Sequence, residues 1–226
     1  MQRLKKALCA KKSLRRCKYL DRSAIILGGG SSRRFGEDKG TLRLSNRPLL
    51  NHPVDVVKGI VDEVIIVTSS EERVNQYSKI VSSNVKFVID IGESKGPLVG
   101  ALTGFGAAQG EYSLLLPYDL PFVSKEIVEL LFDLCIGKAA VIPRWPNTQI
   151  EPLYAVYDTK QALEAAKKAL ENNELTMRAM ISKLRGVRYI STLVMEQLDP
   201  DLNTFFNINT PLDLKKAEAL MRHRKR

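Results

Sequence analysis

The segment with the clearest chemical purpose is Leu27-Gly28-Gly29-Gly30-Ser31-Ser32-Arg33-Arg34-Phe35-Gly36-Glu37-Asp38-Lys39, directly behind a short apolar run. Glycines let main-chain N–H groups approach phosphate oxygens with no Cβ in the way, and successive amides form a concavity that holds anions. Arg34 and Lys39 supply the positive charge that opposes a triphosphate. The guanidinium can grip phosphate bidentately, and the ammonium acts as a compact point charge. The spacing fits neither common glycine-rich motif. GxxxxGK[ST] needs lysine after its last glycine, but Gly36 is followed by Glu37; GxGxxG needs glycine where Arg33 stands. A solvated surface turn is the plainer alternative. Three glycines behind a buried strand, followed by five charged residues within seven positions, suit that alternative poorly.

Two acids complete the set. Asp119 lies in Leu116-Pro117-Tyr118-Asp119-Leu120-Pro121-Phe122, between prolines that hold the backbone extended. A carboxylate at the end of a buried strand near a phosphate loop suits Mg²⁺, which takes few protein ligands and fills its shell with substrate phosphates. Asp90 opens Asp90-Ile91-Gly92-Glu93-Ser94-Lys95-Gly96-Pro97-Leu98-Val99-Gly100. Pro97 suits the first position of a helix, and Gly96 and Gly100 let that helix approach a flat ligand closely. Each cluster also has a purely structural reading: a turn or capping acid at Asp119, a turn and helix start at Asp90–Gly100.

These residues need a scaffold that brings loop ends together, and the chain has the pattern for one. Apolar or β-branched runs predict strands at Ala24–Leu27, Val64–Thr68, Lys86–Ile89, Tyr112–Leu116, Ala139–Ile142, Leu153–Tyr157 and Val187–Ser191. Helical spacing predicts helices at Leu49–Val61, Glu71–Lys79, Leu98–Ala108, from Ser124 to about Leu134, at Thr159–Leu170 and at Thr176–Lys183. Thr210-Pro211 pairs a cap with a first-position proline and opens a C-terminal helix to about Met221. Alternation of this kind predicts an α/β fold: one doubly wound, mostly parallel sheet with helices on both faces. Ligands bind such sheets beyond the C-terminal strand ends. The loops after Leu27, Thr68, Ile89, Leu116 and Tyr157 are therefore the ones expected to carry the site.

Composition narrows the choices further. A chain of 226 residues can bury a large core without disulfides or structural metal. Cys9, Cys17 and Cys135 have no CxxC spacing and read as reduced thiols, with Cys135 in the core. His52 and His223 are the only histidines, too few for a histidine-based zinc site. The net charge of +10 invites a nucleic-acid reading. Yet residues 1–22 hold nine Lys/Arg against Asp21, and the last five residues add four more. Between them stand 22 basic and 24 acidic residues, a net of −2, so the basicity belongs to the ends and a nucleic-acid partner is not expected. Residues 1–22 read as a basic extension with a short helix around Leu4–Leu14, and residues 23–226 as one domain. No run approaches the ~18 apolar residues of a membrane span, and no apolar stretch follows the basic start as in a secretory leader. A cytoplasmic protein is expected.

The glycine-rich segment resembles the signature L-[AG]-G-G-x-S-x-R-[MF]-G-x-D-K of the molybdenum cofactor guanylyltransferases, the molybdopterin guanine dinucleotide biosynthesis protein A family. Gly28 stands where alanine is commoner, and Phe35 where methionine is. The resemblance runs from about Ala24 to Leu220. It implies that Leu27, Gly28 and Gly29 contact the nucleotide, that Arg34 and Lys39 hold its phosphates, and that Asp90 and Gly96 lie near the base. Asp119 takes the slot of the family's metal-binding aspartate, which makes Arg34, Lys39 and Asp119 the catalytic set and Mg²⁺ the cofactor. After the second strand the family often carries an asparagine; here Val67-Thr68-Ser69-Ser70 offers serine or threonine instead, with Ser69 taken as the contact. Glu151-Pro152-Leu153-Tyr154-Ala155-Val156-Tyr157 resembles the segment before the acceptor-side helix. Asn207-Ile208-Asn209-Thr210-Pro211-Leu212-Asp213-Leu214 resembles the C-terminal N-x-N-T-P-x-[DE]-L, which would put Asn207 and Asn209 near the acceptor.

The reaction so implied is attack of the acceptor's terminal phosphate on the α-phosphorus of GTP, with pyrophosphate leaving. The acceptor would be molybdenum- or tungsten-bound molybdopterin, and further partners would be a cofactor carrier or the enzymes that receive the product. Guanine presents N–H donors that suit a carboxylate such as Asp90, and Gly29-Gly30 in place of the Ala-Gly of cytidylyltransferases points the same way. Three other readings stand beside it. One is a cytidylyltransferase acting on molybdopterin or another small phosphorylated acceptor. Another is a non-catalytic GTP-binding regulatory protein of the same fold. The third is an RNA-associated protein working through its basic ends.

Overall fold

The computed structural model describes residues 21–29, 38–81, 84–90 and 96–224. The chain opens with β1 (Arg22–Leu27), then a small hairpin of β2 (Arg43–Leu44) and β3 (Arg47–Pro48), then α1 (Asn51–Val57). There follow β4 (Glu63–Thr68), α2 (Glu71–Tyr77), β5 (Val85–Ile89), α3 (Pro97–Ala107), β6 (Tyr112–Pro117) and α4 (Lys125–Cys135). The last third holds β7 (Ala140–Arg144), β8 (Ala155–Asp158), α5 (Thr159–Glu171), α6 (Met177–Ser182) and β9 (Val187–Ser191). A single-turn helix, α7 (Thr192–Met195), a 3₁₀ turn at Asn203–Phe205, and α8 (Pro211–Arg224) complete it.

Seven strands form one sheet in the order β5-β4-β1-β6-β8-β7-β9. All neighbours are parallel except β6–β8 and β8–β7, so β8 alone runs against the rest. A parallel return needs a long crossover. The link from β7 to β8 instead turns back through Trp145–Gln149, where Trp145 N–H donates to Gln149 O at 2.8 Å and Thr148 takes a φ of 69°. The fold is the expected doubly wound α/β sheet with this one reversal.

The strand period of two sorts the sheet residues onto opposite faces. Ala24, Ile26, Ile66, Leu114 and Leu116 pack with Val54 of α1, Tyr77 of α2 and Ile127, Leu131 and Phe132 of α4. Ile25, Leu27, Ile65, Val67 and Leu115 pack with Leu98, Ala101 and Phe105 of α3 and Ala162, Ala166 and Ala169 of α5. A third, small core joins Leu44 and Leu49 of the hairpin region to Phe122, Ile208 and Ala217 of α8. Cys135 is the core thiol expected: its Sγ lies 3.5 Å from Val156 O, and burial pushes the thiol up to about 12. No helix among the described residues is long and apolar enough to cross a membrane.

Two local expectations are corrected. The helix read over Leu49–Val61 is confined to Asn51–Val57, because Leu49 and Leu50 spend their N–H groups on Leu42 O and Gly40 O. The β2–β3 hairpin, whose strands are only two residues long, was not among the expected strands; its two-residue turn is Ser45-Asn46, both at positive φ, the geometry of a type I′ turn. The helix expected around Leu4–Leu14 lies outside the described residues.

Helix and sheet approach closely at Gly104 of α3, where an added Cβ would stand 2.3 Å from Ile25 Cγ2 on the central strand. Gly104→Ala is expected to lose about 1–3 kcal/mol through overpacking, outweighing alanine's helix preference of ~1 kcal/mol. Urea unfolding of the two forms measures it.

Candidate active site

Parallel register decides which residues emerge together. Leu27 is level with Val67 and Pro117, and Thr68 is level with Ile89. The next residues along each chain, Gly28, Ser69, Asp90 and Tyr118-Asp119, therefore leave the sheet at one edge. Gly28 N–H donates to Val67 O at 2.7 Å, Asp90 N–H to Thr68 O at 2.7 Å and Tyr118 N–H to Leu27 O at 3.3 Å. These bonds carry the ladder one residue past each strand and hold the loop starts to the sheet.

Lys39 is buried at 7% exposure, although its side chain ends in an ammonium. Nζ donates to Asp119 Oδ2 at 2.5 Å and to Asn209 Oδ1 at 3.0 Å, and lies 5.7 Å over the Tyr118 ring. Three segments far apart in sequence thus converge on one cation. Asp119 is further tied to the C-terminal segment through Ile208 N–H, which donates to Asp119 O at 3.1 Å. Asn209 is oriented from its other side by Asp213, whose Oδ2 accepts from Asn209 N–H at 3.0 Å and from Thr210 N–H at 2.9 Å. Thr210 Oγ1 donates to the same oxygen at 2.8 Å and accepts from Asp213 N–H at 3.2 Å, a reciprocal cap. The Thr210 hydroxyl and these amides hold the Asp213 carboxyl below its ordinary range. Asn207 is exposed nearby in sequence.

On the other side of β1, Asp90 is held by α3. Thr103 Oγ1 donates to Asp90 Oδ1 at 3.1 Å, and a Cβ added at Gly100 would stand 3.7 Å from Asp90 Oδ2. Gly96 precedes Pro97, the first residue of α3, as its spacing implied. Within Val67-Thr68-Ser69-Ser70, Thr68 is buried and donates to Ser70 O at 3.3 Å, while Ser70 Oγ caps α2 by accepting from Arg73 N–H at 3.4 Å. Ser69 is the exposed hydroxyl of the stretch. Leu27 and Gly28 are buried and Gly29 is exposed. Arg34 lies outside the described residues.

The sequence reading missed a second polar cluster. Asp38, next to Lys39, accepts through Oδ1 from Gly40 N–H at 2.8 Å and from the Tyr77 hydroxyl at 2.7 Å, and pairs through Oδ2 with Arg73 Nε at 3.0 Å. Arg73 Nη1 also donates to Gly28 O at 3.3 Å. Burial, reinforced by the Asp38 carboxylate, pushes the Tyr77 phenol up, so it stays protonated and donates. Arg73 and Tyr77 sit four apart on one face of α2. That spacing alone is common to many surface helices and gave no cue.

Among the described residues no group of three or more His, Cys, Asp or Glu side chains converges as a metal cage. The donor set at the junction is one carboxylate, Asp119, beside the Asn209 amide oxygen. The Glu151–Tyr157 segment lies beyond β7, where Trp145 Nε1 donates to Glu151 Oε1 at 2.6 Å and the indole packs on Phe205 with centroids 5.4 Å apart.

A MobA-like NTP transferase domain is matched over residues 24–187. The chain belongs to this family. It is 35% identical to the probable molybdenum cofactor guanylyltransferase of Methanosarcina mazei over 199 residues, covering 86% of this chain and 88% of the relative. With the molybdenum cofactor guanylyltransferase of Desulfosudis oleivorans it shares 32% identity, covering 88% of this chain and 96% of the relative. Its fold is similar to the crystal structure of molybdopterin-guanine dinucleotide biosynthesis protein A from Archaeoglobus fulgidus, with a TM-score of 0.75 and 25% identity over 89% of this chain and 99% of the other. As a MobA-like protein the chain is a nucleotidyltransferase, and the strand edge bearing Gly28, Lys39 and Asp119 lies within the matched residues.

Removing only the phenolic donor in the Asp38 cluster isolates one hydrogen bond to a charged acceptor. Tyr77→Phe is expected to lower stability by about 1.5–3 kcal/mol, read from urea unfolding at neutral pH.

Proposed function

We propose that this chain transfers GMP from GTP to molybdenum-bound molybdopterin, releasing pyrophosphate and forming the guanine dinucleotide cofactor. The observation that carries the reading is the junction of Lys39, Asp119 and Asn209 at the strand edge that also bears Gly28 and Gly29. The names of the relatives supply the acceptor.

The main-chain amide of Gly29, with Lys39 and Arg34, binds the triphosphate. Lys39 exchanges its carboxylate partner for phosphate oxygens as the nucleotide arrives. An acceptor phosphate oxygen, already anionic, then forms a bond to the α-phosphorus while the bond to the bridging oxygen breaks and its electron pair leaves with pyrophosphate. The Lys39 ammonium stabilises the charge that builds on the leaving oxygens. No side-chain nucleophile is required, and much of the rate comes from holding the two phosphates in line.

The single carboxylate of Asp119 fits Mg²⁺, which would complete its shell with phosphate oxygens and water and neutralise the triphosphate. Asn209 accepts from Lys39, Asp119's partner, and Asn207 and Asn209 are the residues assigned to the incoming acceptor phosphate. Asp90, oriented by Thr103, accepts the N–H groups of guanine, with Gly96 and Ser69 lining the base and ribose. A cytoplasmic site of action accompanies these substrates.

The test is pyrophosphate release with molybdenum-loaded molybdopterin and each of GTP, CTP, ATP and UTP, with and without Mg²⁺. GTP is expected to be preferred and Mg²⁺ required, and Asp119→Ala is expected to lower kcat about 10²–10³-fold. Preference for CTP overturns the base assignment. GTP binding without turnover, indifferent to Asp119→Ala, overturns the catalytic reading in favour of a regulatory one.

A further inference from the structure

The glycine-rich segment begins at Gly28 and ends at Asp38-Lys39, and one side chain from another element touches both ends. Arg73 Nη1 donates to Gly28 O at 3.3 Å, and Arg73 Nε pairs with Asp38 Oδ2 at 3.0 Å. The side chains of Arg73 and Asp38 are 19% and 15% exposed, so the link is largely sheltered from water. Tyr77, one turn further along α2, binds the second oxygen of Asp38 and is itself fully buried.

The space Tyr77 fills exists because two glycines lack side chains. A Cβ at Gly40 would lie 2.6 Å from the phenolic oxygen, and one at Gly28 would lie 3.3 Å from Cε2 and 3.1 Å from Val67 O.

The contact with Gly28 has a stereochemical consequence. The Gly28 carbonyl and the Gly29 N–H belong to one planar trans peptide and point in opposite directions. A donor that fixes the carbonyl fixes the amide, and a cationic donor polarises it into a stronger hydrogen-bond donor. Meanwhile the Asp38 carboxylate, gripped by Arg73, Tyr77 and Gly40 N–H, locates the backbone from which Lys39 reaches Asp119.

We propose that Arg73 is a positioning residue that, through Gly28 O and Asp38, aims the Gly29 amide and the Lys39 ammonium together at one phosphate group. Its guanidinium is ion-paired with Asp38, and the role assigned to it runs through Asp38 and Gly28 O. The inference rests on the nucleotidyl-transfer reading, but it concerns the phosphate cradle and holds whichever base is bound.

The experiment measures binding of inorganic tripolyphosphate by calorimetry, below the melting temperature, for the full chain and for Arg73→Ala, Arg73→Lys, Asp38→Asn and the Arg73→Ala/Asp38→Asn pair. GTP turnover is followed in parallel. Arg73→Ala and Asp38→Asn are each expected to weaken tripolyphosphate binding about tenfold and to reduce turnover up to about 10²-fold. Arg73→Lys is not expected to rescue, because a point charge cannot hold both partners at once. The double variant is expected to lose no more than either single one, the mark of a shared link. Rescue by lysine, additive losses, or full tripolyphosphate binding in variants that are merely less stable each overturn the proposal. A preference for CTP would fall on the guanylyl assignment alone and leave the tripolyphosphate comparison intact.

Discussion

A lysine ammonium can be buried only in company, and the candidate site is organised around that requirement at Lys39. Asp119 and Asn209, whose side-chain oxygens accept from it, lie 80 and 170 positions along the chain. For Asp119 to reach it, β1 must lie beside β6. For Asn209 to reach it, the segment before α8 must fold back across the end of β6, as the bond from Ile208 N–H to Asp119 O records. The third core, built from Leu44, Leu49, Phe122, Ile208 and Ala217, is the packing that makes this return stable. The small hairpin and α8 lie outside the seven-stranded sheet, yet they complete the surroundings of Lys39. Desolvating an unpaired ammonium would cost several kcal/mol on the order of magnitude usual for buried ions, so sheet, hairpin and C-terminal helix are energetically joined at this point.

The same edge depends on how closely elements approach one another. Gly104 lets α3 settle on β1, which brings Thr103 and Gly100 to Asp90. Gly28 and Gly40 admit the Tyr77 ring from the opposite face. The central strand is thus gripped by a helix on each side at the level where its loop begins. Neither arrangement needs unusual backbone angles; each needs only a missing Cβ.

Much of this was legible in the residues. The apolar runs at Ala24–Leu27, Val64–Thr68 and Tyr112–Leu116 are buried on both faces and read as central parallel strands for that reason. Asp119 could be placed because prolines bracket it, and Asp90 because a proline-led helix follows it. The reversed β8 was not legible, since a buried strand has the same composition in either direction and only the short return through Trp145–Gln149 decides it. The Arg73–Asp38–Tyr77 cluster was hidden for a different reason. Arg73 and Tyr77 lie on a helix whose polar residues look like an ordinary solvated face, and only the missing side chains at positions 28 and 40 turn that face inward. Tertiary packing of this kind leaves no periodic trace.

Charge balance links the two halves of the site. Lys39 pairs with Asp119, and Arg73 pairs with Asp38. In the second pair Asp38 is held further by the Tyr77 hydroxyl and Gly40 N–H. The first pair stands at the strand edge. On the proposed reading, a triphosphate entering there would compete with Asp119 for the ammonium. The carboxylate it displaced would then have a charge to satisfy beside a strongly anionic ligand, the setting in which a divalent cation gains most from oxygen ligands of both. One lysine shared between a fixed acid and a mobile phosphate would thereby make nucleotide and metal favour each other's arrival, without either needing a preformed cage.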